Sequence, residues 1–166
     1  MPDAIIEARI SSLRDESPRV RSFVLEPLPG GTLPAFTAGA HVDCHLPEGA
    51  IRSYSLLNDP GERDRYVIGV AKDPDGRGGS RHIHERWTVG DVIRISAPRN
   101  TFGLVEDASY SVFLAGGIGI TPLLSMAARL DALGRDWELH YAVRTRGEAA
   151  FLDRIRRMGV ADASST

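Results

Sequence analysis

The pattern of apolar and turn residues changes once along this chain, near residue 103, and this change limits the folds that the chain can adopt. Before residue 103, short apolar runs alternate with spacers rich in glycine and proline, which stop a strand by freeing or fixing the backbone. After it, the order becomes strand, glycine loop, helix, strand and helix. That order is typical of the start of a parallel α/β domain. The sequence therefore predicts two different architectures in series.

The first part predicts six strands with the spacing of a small barrel or sandwich. One short helix interrupts them, from residue 79 or 80 to residue 86. The predicted strands cover residues 5–13, 20–25, 41–46, 51–57, 66–72 and 91–97.

The second part predicts a strand over residues 111–114, a helix over 121–133, a strand over 137–143 and a helix over 148–158. Thr121 fits the cap of the longer helix, Pro122 its first position and Gly134 its end. Two strands are too few to cover two helices on both faces of a sheet. We therefore expect two domains, a barrel over residues 1–103 and an incomplete α/β domain over residues 104–166.

Composition excludes several classes of function. A hydrophobic fraction of 42% and a charged fraction of 25% match a globular protein, and a formal net charge of −2 gives no basic field for nucleic acid or membrane. The N-terminus has no basic flank before an apolar core, so we expect no secretory signal. Residues 112–124, the most apolar stretch, are interrupted by glycines and a proline, and we expect a cytoplasmic protein.

Cysteine and histidine provide no evidence of a metal centre. The lone Cys44 excludes an internal disulfide and an iron–sulfur cluster, which takes about four cysteines, and a buried, inert thiol is the expected state. The histidines follow no spacing known for zinc ligands, so we expect no bound metal.

The segment Arg52-Ser53-Tyr54-Ser55 is the first that carries chemistry. Side chains alternate along a strand, so Arg52 and Tyr54 share one face and Ser53 and Ser55 the other. A guanidinium can fork onto a phosphate, a tyrosine can lie along a flat ring, and a serine can meet the reactive edge of that ring. The segment is a candidate flavin seat, with an ordinary strand and a solvated arginine as the alternative.

The segment Gly78-Gly79-Ser80 lies at the start of the predicted short helix. Backbone N–H groups at the positive end of a helix, unobstructed by side chains, form an anion site, and Arg81 adds positive charge. A plain turn with a serine cap is the alternative. Because this segment follows Arg52 with one strand between them, we expect both to hold the same phosphate.

The third segment is a strand that ends in glycines and passes into the longer helix. Ligands of α/β sheets bind at the carboxyl ends of strands, where glycines let a cofactor approach the backbone. The spacing of Gly117, Gly119 and Pro122 places a proline where the usual dinucleotide fingerprint has its third glycine. A nicotinamide site is the functional interpretation, and a structural turn is the alternative.

Together these segments resemble a known family. Residues 52–60, 76–80, 98–102 and 115–124 are similar, in the same order, to the phthalate dioxygenase reductase group, which includes the vanillate demethylase reductases and lies within the ferredoxin reductase-like flavoprotein superfamily. The resemblance extends from about residue 5 to about residue 158. It implies a β + α/β fold, in which a small antiparallel Greek-key flavin-binding β-barrel precedes the start of a parallel α/β nucleotide-binding domain.

The resemblance also implies an activity and its cofactors. A member would move electrons from NADH through FMN toward an iron–sulfur centre of an aromatic-ring oxygenase or demethylase partner, with no general acid or nucleophile. Arg52, Gly79, Ser80 and Arg81 would hold the FMN phosphate, while Ser55 and Thr121 would align hydride transfer. The other implied cofactor contacts are Ser53, Tyr54, Val70, Ala71, Lys72, Gly78, Gly117, Gly119 and Arg144.

The resemblance leaves alternatives open. The chain has neither the remaining strands of the nucleotide domain nor the iron–sulfur domain of the family, so a flavin-binding fragment without complete turnover is one alternative. A stand-alone flavin or ferredoxin reductase that uses FAD is another. The place that selects between NADH and NADPH reads Arg144-Thr145-Arg146; arginines there favour NADPH, the resemblance favours NADH, and we expect NADH.

Overall fold

The computed structural model describes residues 4–159. Its first part is one six-stranded antiparallel sheet with the spatial order β4-β3-β6-β1-β2-β5. The strands are β1 Ile5–Ser17, β2 Val20–Pro27, β3 His41–His45, β4 Ile51–Ser55, β5 Tyr66–Ala71 and β6 Val92–Ser96.

The sheet closes on itself. Just past β4, Leu56 forms an antiparallel bridge with Ile68 of β5, and the N–H of Leu57 donates to the carbonyl of Val67 at 2.9 Å. These bonds join the two outer strands, so that the sheet has no open edge at this point. The predicted antiparallel Greek-key barrel is therefore confirmed.

The barrel is filled by the inward side chains of its strands and by one helix. Phe23, Leu25, Ile68 and Ile95 have no exposed surface, because alternate residues of each strand point inward. The helix α1, Gly79–Arg86, adds the buried Ile83 to the same core. Its boundaries agree with the prediction.

The second part is a parallel pair of strands with two helices. Its elements are β7 Tyr110–Gly116, α2 Ile120–Ala132, β8 Asp136–Ala142 and α3 Leu152–Arg157. One face of this small sheet, which includes Phe113 and Trp137, packs with α2 in a second hydrophobic cluster. The other face leaves Val112 and Leu114 exposed.

The barrel and the α/β part share that second cluster. Val20, Leu57 and Val67 of the barrel pack in it with the side chains of α2. Gly69 of β5 marks the closest approach, because a Cβ at this position would lie 2.7 Å from Cζ of Phe151 and 3.0 Å from Cγ2 of Thr121. The two parts therefore meet along β5.

Two predicted features of the helices are wrong. Thr121 is not the cap of α2, because the helix begins one residue earlier, after a 3-10 turn over Gly117–Gly119. The Thr121 hydroxyl donates to the carbonyl of Ile118 at 3.2 Å. The last helix begins at Leu152 rather than at residue 148, because Phe151 before it adopts a left-handed φ of 64° and is buried.

The predicted strands are correct in number and order but differ in length. β1 continues to Ser17, well past the predicted end, because its polar residues pair with β2 through register shifts after Ile10 and after Asp15. Within residues 4–159, no helix has the length and apolar character that a bilayer crossing requires. The same part of the chain holds no group of three or more His, Cys, Asp or Glu placed to bind a metal ion.

Candidate functional site

The structure brings Arg52 of β4 against the first residue of α1. A Cβ at Gly79 would lie 3.1 Å from Cζ and only 2.6 Å from Nε of Arg52, and the second distance is closer than real Cβ atoms approach. Only a glycine leaves room for the guanidinium at this point. The Arg52 side chain therefore lies beside the first turn of α1, whose N–H groups have no partner within the helix. Its Nη1 donates to the carbonyl of Ile51 at 2.7 Å.

The loop before α1 is held by its own side chains. The Ser80 hydroxyl accepts the N–H of Asp73 at 3.0 Å, and Nη2 of Arg81 donates to the carbonyl of Pro74 at 3.0 Å. Gly78, with φ of 85°, turns the chain into the helix. In this geometry Ser80 can still donate its hydroxyl proton, whereas Arg81 has a structural partner in the loop.

β4 presents its other candidate residues on two faces. Tyr54 packs against the barrel core on the face of Arg52. Burial raises the pKa of its hydroxyl, and the nearby Arg52 charge opposes that shift. Ser53 lies on the opposite face and donates to Oδ1 of Asp43 at 2.5 Å, so its side chain does not join Arg52. Ser55 shares that second face, two residues before Leu57 of the cluster that contains α2.

The end of β5 connects the phosphate-binding candidates with the α/β part. Val70 is buried in the barrel core, so only its backbone can face a ligand, and its carbonyl contacts Nε2 of His84 of α1 at 2.8 Å. Ala71 turns toward the α/β part, and Lys72 reaches Glu85 of α1 at 3.5 Å. Of the three predicted residues Val70, Ala71 and Lys72, only Ala71 contributes a side chain to the cleft described next.

A cleft of about 480 Å³ lies between the barrel and the carboxyl ends of β7 and β8. Three of the predicted residues line it: Ala71, Gly117 and Arg144. Its volume is in the range of small-molecule sites. A Cβ at Gly117 would meet nothing within 4 Å, so the backbone of the glycine loop is open to a ligand here.

Gly119 and Thr121 do not line this cleft. Thr121 is buried, and its methyl group packs toward Gly69 of β5. Its hydroxyl bonds back to Ile118, which does line the cleft. Thr121 therefore shapes the glycine loop and fixes its distance from the barrel.

Sequence reasoning missed several residues of these sites. His84 ties α1 to β5, and Tyr141 of β8 lines the cleft while its hydroxyl accepts the N–H of Ala150 at 3.2 Å. Burial raises the pKa of Tyr141. The alternation of β8 places Tyr141 on the face that packs on α2, which is the one signal that could have found it. Arg19 also lines the cleft, without a signal in its local sequence, and so does Glu148, which follows the Arg144-Thr145-Arg146 segment closely.

The Cys44 thiol takes no part in either site. It points into the barrel core, and burial raises its pKa to about 12. This agrees with the predicted inert thiol.

Comparison with known proteins identifies the relatives of this chain. No protein-family model matches it. Vanillate O-demethylase oxidoreductase of Pseudomonas putida is 52% identical over 158 residues, which are 95% of this chain and 50% of that protein. Tetrachlorobenzoquinone reductase of Sphingobium chlorophenolicum is 48% identical over 156 residues, which are 94% of this chain and 48% of that protein.

The fold has a similarly close match. Phthalate dioxygenase reductase, described as a modular structure for electron transfer from pyridine nucleotides to [2Fe-2S], superimposes with a TM-score of 0.88 at 42% identity. The match covers 92% of this chain and 48% of that one, so the chain spans about half the length of the relatives it matches. By sequence and by fold, this chain belongs to the phthalate dioxygenase reductase and vanillate demethylase reductase group of flavoproteins.

Proposed function

We propose that this chain forms the flavin-binding and nicotinamide-binding part of a reductase that moves electrons from NADH through FMN to the iron–sulfur centre of an oxygenase or demethylase partner. The approach of Arg52 to Gly79 carries the proposal. A cationic fork held against the amides at a helix start is suited to a dianionic phosphate. The family membership supports the same assignment.

Residues at the barrel would hold FMN by its two ends. Arg52 and the amides of Gly79 and Ser80 would neutralise the phosphate, because the guanidinium lies beside the start of α1 and N–H groups at a helix start attract anions. Tyr54, half-buried on the face of Arg52, would lie along the ring or the ribityl chain. The ring would then extend past the end of β5 toward Ala71.

The cleft would take the nicotinamide end of NADH. Bound FMN supplies the redox chemistry, because its N5 accepts a hydride from nicotinamide C4. The chain contributes alignment: Ala71 and Gly117 leave the two rings room to stack, and Ser55 lies on the strand face that meets the α/β part. Thr121 acts as a positioning residue through Ile118.

An anaerobic absorption spectrum of the purified chain, recorded before and after NADH is added, tests the proposal. We expect a yellow protein that bleaches, and heat-released FMN in the supernatant by chromatography. A colourless protein with no affinity for added FMN would overturn the assignment. Release of FAD would instead favour a stand-alone flavin or ferredoxin reductase, and a protein that stays yellow with NADH would favour a flavin-binding fragment.

Arg144 provides the test of nucleotide choice. It lines the cleft after β8, where the second strand of such domains meets the adenosine ribose. We expect Arg144→Ala to raise the KM for NADH several-fold and to leave flavin content unchanged. A variant that loses only NADPH-dependent reduction would show that Arg144 selects the 2′-phosphate. Arg135→Ala, an exposed arginine outside the cleft, is the matched control.

A further inference from the structure

A second, smaller cavity lies between the outer surface of the barrel and α3. Its volume is about 170 Å³, and it shares no lining residue with the cleft described above. Strands β1 and β2 form one wall, and α3 forms the other. The polar residues that line it are Ser12, Arg14, Glu16, Ser22, Arg154 and Arg157.

The charges around this cavity do not cancel. Arg14 is paired with Asp153 at 2.5 Å, and Glu62, which also acts on Arg154, is paired with Arg65 at 3.2 Å. This leaves Arg154 and Arg157 opposite the carboxylate of Glu16. Glu16 in turn accepts the hydroxyl of Ser22 at 2.7 Å. One net positive charge therefore remains in a partly enclosed space.

Arg154 carries the strongest signal in the cavity. Burial, the largest influence, lowers the pKa of its guanidinium; Glu62 opposes this shift, and the neighbouring Arg157 adds to it. Among residues 4–159, the side chain of Arg154 has no hydrogen-bond partner. Arg154 is partly buried, so its guanidinium loses hydration that no hydrogen bond replaces, and an anion in the cavity would replace it.

The size of the cavity limits the ligand. At about 170 Å³ it is well below the range of sites that hold a nucleotide or a drug-sized molecule. An ion with several acceptor oxygens fits the donors present, which are two guanidinium groups and the hydroxyl of Ser12. These donors match a tetrahedral oxyanion better than chloride, which cannot form bidentate bonds.

We propose that this cavity binds one small oxyanion of the phosphate class, held chiefly by Arg154 and Arg157. The ion would touch the barrel on one side and α3 on the other, so binding would fasten the two parts of the molecule together. This proposal is independent of the proposed electron-transfer function, because none of the residues assigned to the flavin or the nicotinamide lines this cavity.

Titration of the purified chain with inorganic phosphate, at an ionic strength held constant with sodium chloride, tests the proposal. We expect saturable binding by calorimetry and a matching rise in the thermal unfolding midpoint. Arg154→Gln should weaken the phosphate affinity at least about tenfold, since one charge-assisted bond is lost. Arg157→Gln should also weaken it, and because Arg157 is exposed, this variant is expected to fold normally.

Further variants separate this cavity from the site at Arg52. Arg52→Ala should leave phosphate binding at the cavity unchanged, and Arg135→Gln is the exposed control. Glu16→Gln should strengthen binding, because it removes the opposing carboxylate. The proposal is overturned if binding is not saturable, if Arg154→Gln and Arg157→Gln bind phosphate like the parent chain, or if Arg52→Ala alone abolishes binding.

Adenosine monophosphate identifies the source of the phosphate group. If it binds as tightly as inorganic phosphate and loses affinity in Arg154→Gln, the cavity accepts a phosphate that projects from a larger molecule. If only inorganic phosphate and sulfate bind, the cavity takes the free ion. Either result supports the assignment of an oxyanion site.

Discussion

The barrel and the α/β part differ in how each buries its apolar residues. The barrel closes on itself through Leu56 and Ile68, and its core side chains come from its own strands, from the loops beside them and from α1. The two-stranded sheet covers only one face with α2, while Val112 and Leu114 of its other face are 53% and 75% exposed. The barrel therefore contains its own core, whereas the α/β part completes its core with side chains of the barrel.

The two candidate sites lie on different sides of this comparison. The phosphate-binding candidates Arg52 and Gly79 lie within the self-contained barrel. The cleft that we propose for nicotinamide lies where the α/β part meets the barrel, beside the packing of Gly69, Thr121 and Phe151. We therefore expect changes at that contact to affect reduction of the flavin by NADH before they affect flavin retention.

Phe151→Ala should have the largest effect on stability. Its ring is 2% exposed and packs against Gly69, so its removal leaves a cavity where the two parts meet. We expect a loss of about 3–5 kcal/mol in the free energy of unfolding, with hydrogen exchange rising in β7, β8 and α2 more than in the barrel. Leu114→Ala, at an exposed position, should change stability by less than about 0.5 kcal/mol. If amide protons of both parts lost protection from exchange equally, the α/β part would not be the one that depends on this contact.

Arg52→Ala should affect ligand retention without separating the two parts. A charge-assisted bond to phosphate is worth about 1.5–3 kcal/mol, so the Kd for FMN should rise about tenfold or more. Fluorescence titration of the apoprotein measures this change. Arg94→Ala, an exposed arginine on β6, is the control. Unchanged flavin affinity in Arg52→Ala would remove the proposed role of that residue.

Gly79→Ala should have a smaller effect of the same kind. The added Cβ would meet the guanidinium of Arg52 at 2.6 Å, and that flexible side chain must move away. We expect roughly tenfold weaker FMN binding with little loss of stability, because the change weakens only the contact between Arg52 and the phosphate. Gly103→Ala, where a Cβ meets nothing, should leave FMN binding unchanged. If both variants bind FMN equally well, the close approach at residue 79 has no part in binding.

Asp43→Asn should give the smallest effect, confined to the barrel. Burial opposes ionisation of Asp43, but hydrogen bonds from Ser53 and Arg99 outweigh it and hold the pKa of the carboxyl below its usual 3.8. Because the folded pKa is the lower one, the carboxylate stabilises the fold above pH 3.8 and loses that effect as the pH falls below it. We expect the free energy of unfolding of the parent chain to exceed that of Asp43→Asn by less than about 1 kcal/mol at pH 7. Urea unfolding at pH 7 and pH 3 measures the difference, which should shrink at the lower pH.

The barrel was largely predictable because its turns are encoded locally. Glycines and prolines between the apolar runs mark where each strand ends, and the glycines before α1 predicted its start at residue 79 or 80, where the structure has it begin at Gly79. The order of the two segments, with one strand between them, also predicted that Arg52 and Gly79 share a site, and the structure brings the two residues together. The ligand roles of these residues remain predictions.

The parts that were missed depend on contacts distant in sequence. β1 runs to Ser17 through a stretch that is polar, and only its pairing with β2 explains that length. The start of α3 is set by Phe151, whose left-handed backbone and burial against Gly69 have no local signal. For the same reason, the bond between His84 and the Val70 carbonyl could not be read from either segment alone.

The distance between the barrel and the α/β part depends on residue 69 having no side chain. Gly69 lies two residues before Ala71, and it receives both the aromatic ring of Phe151 and the methyl group of Thr121. A methyl group added here would act as a wedge that tilts the glycine loop away from the strand. The absence of a side chain at Gly69 therefore sets the distance between β5 and the glycine loop, across which the two cofactor rings would meet.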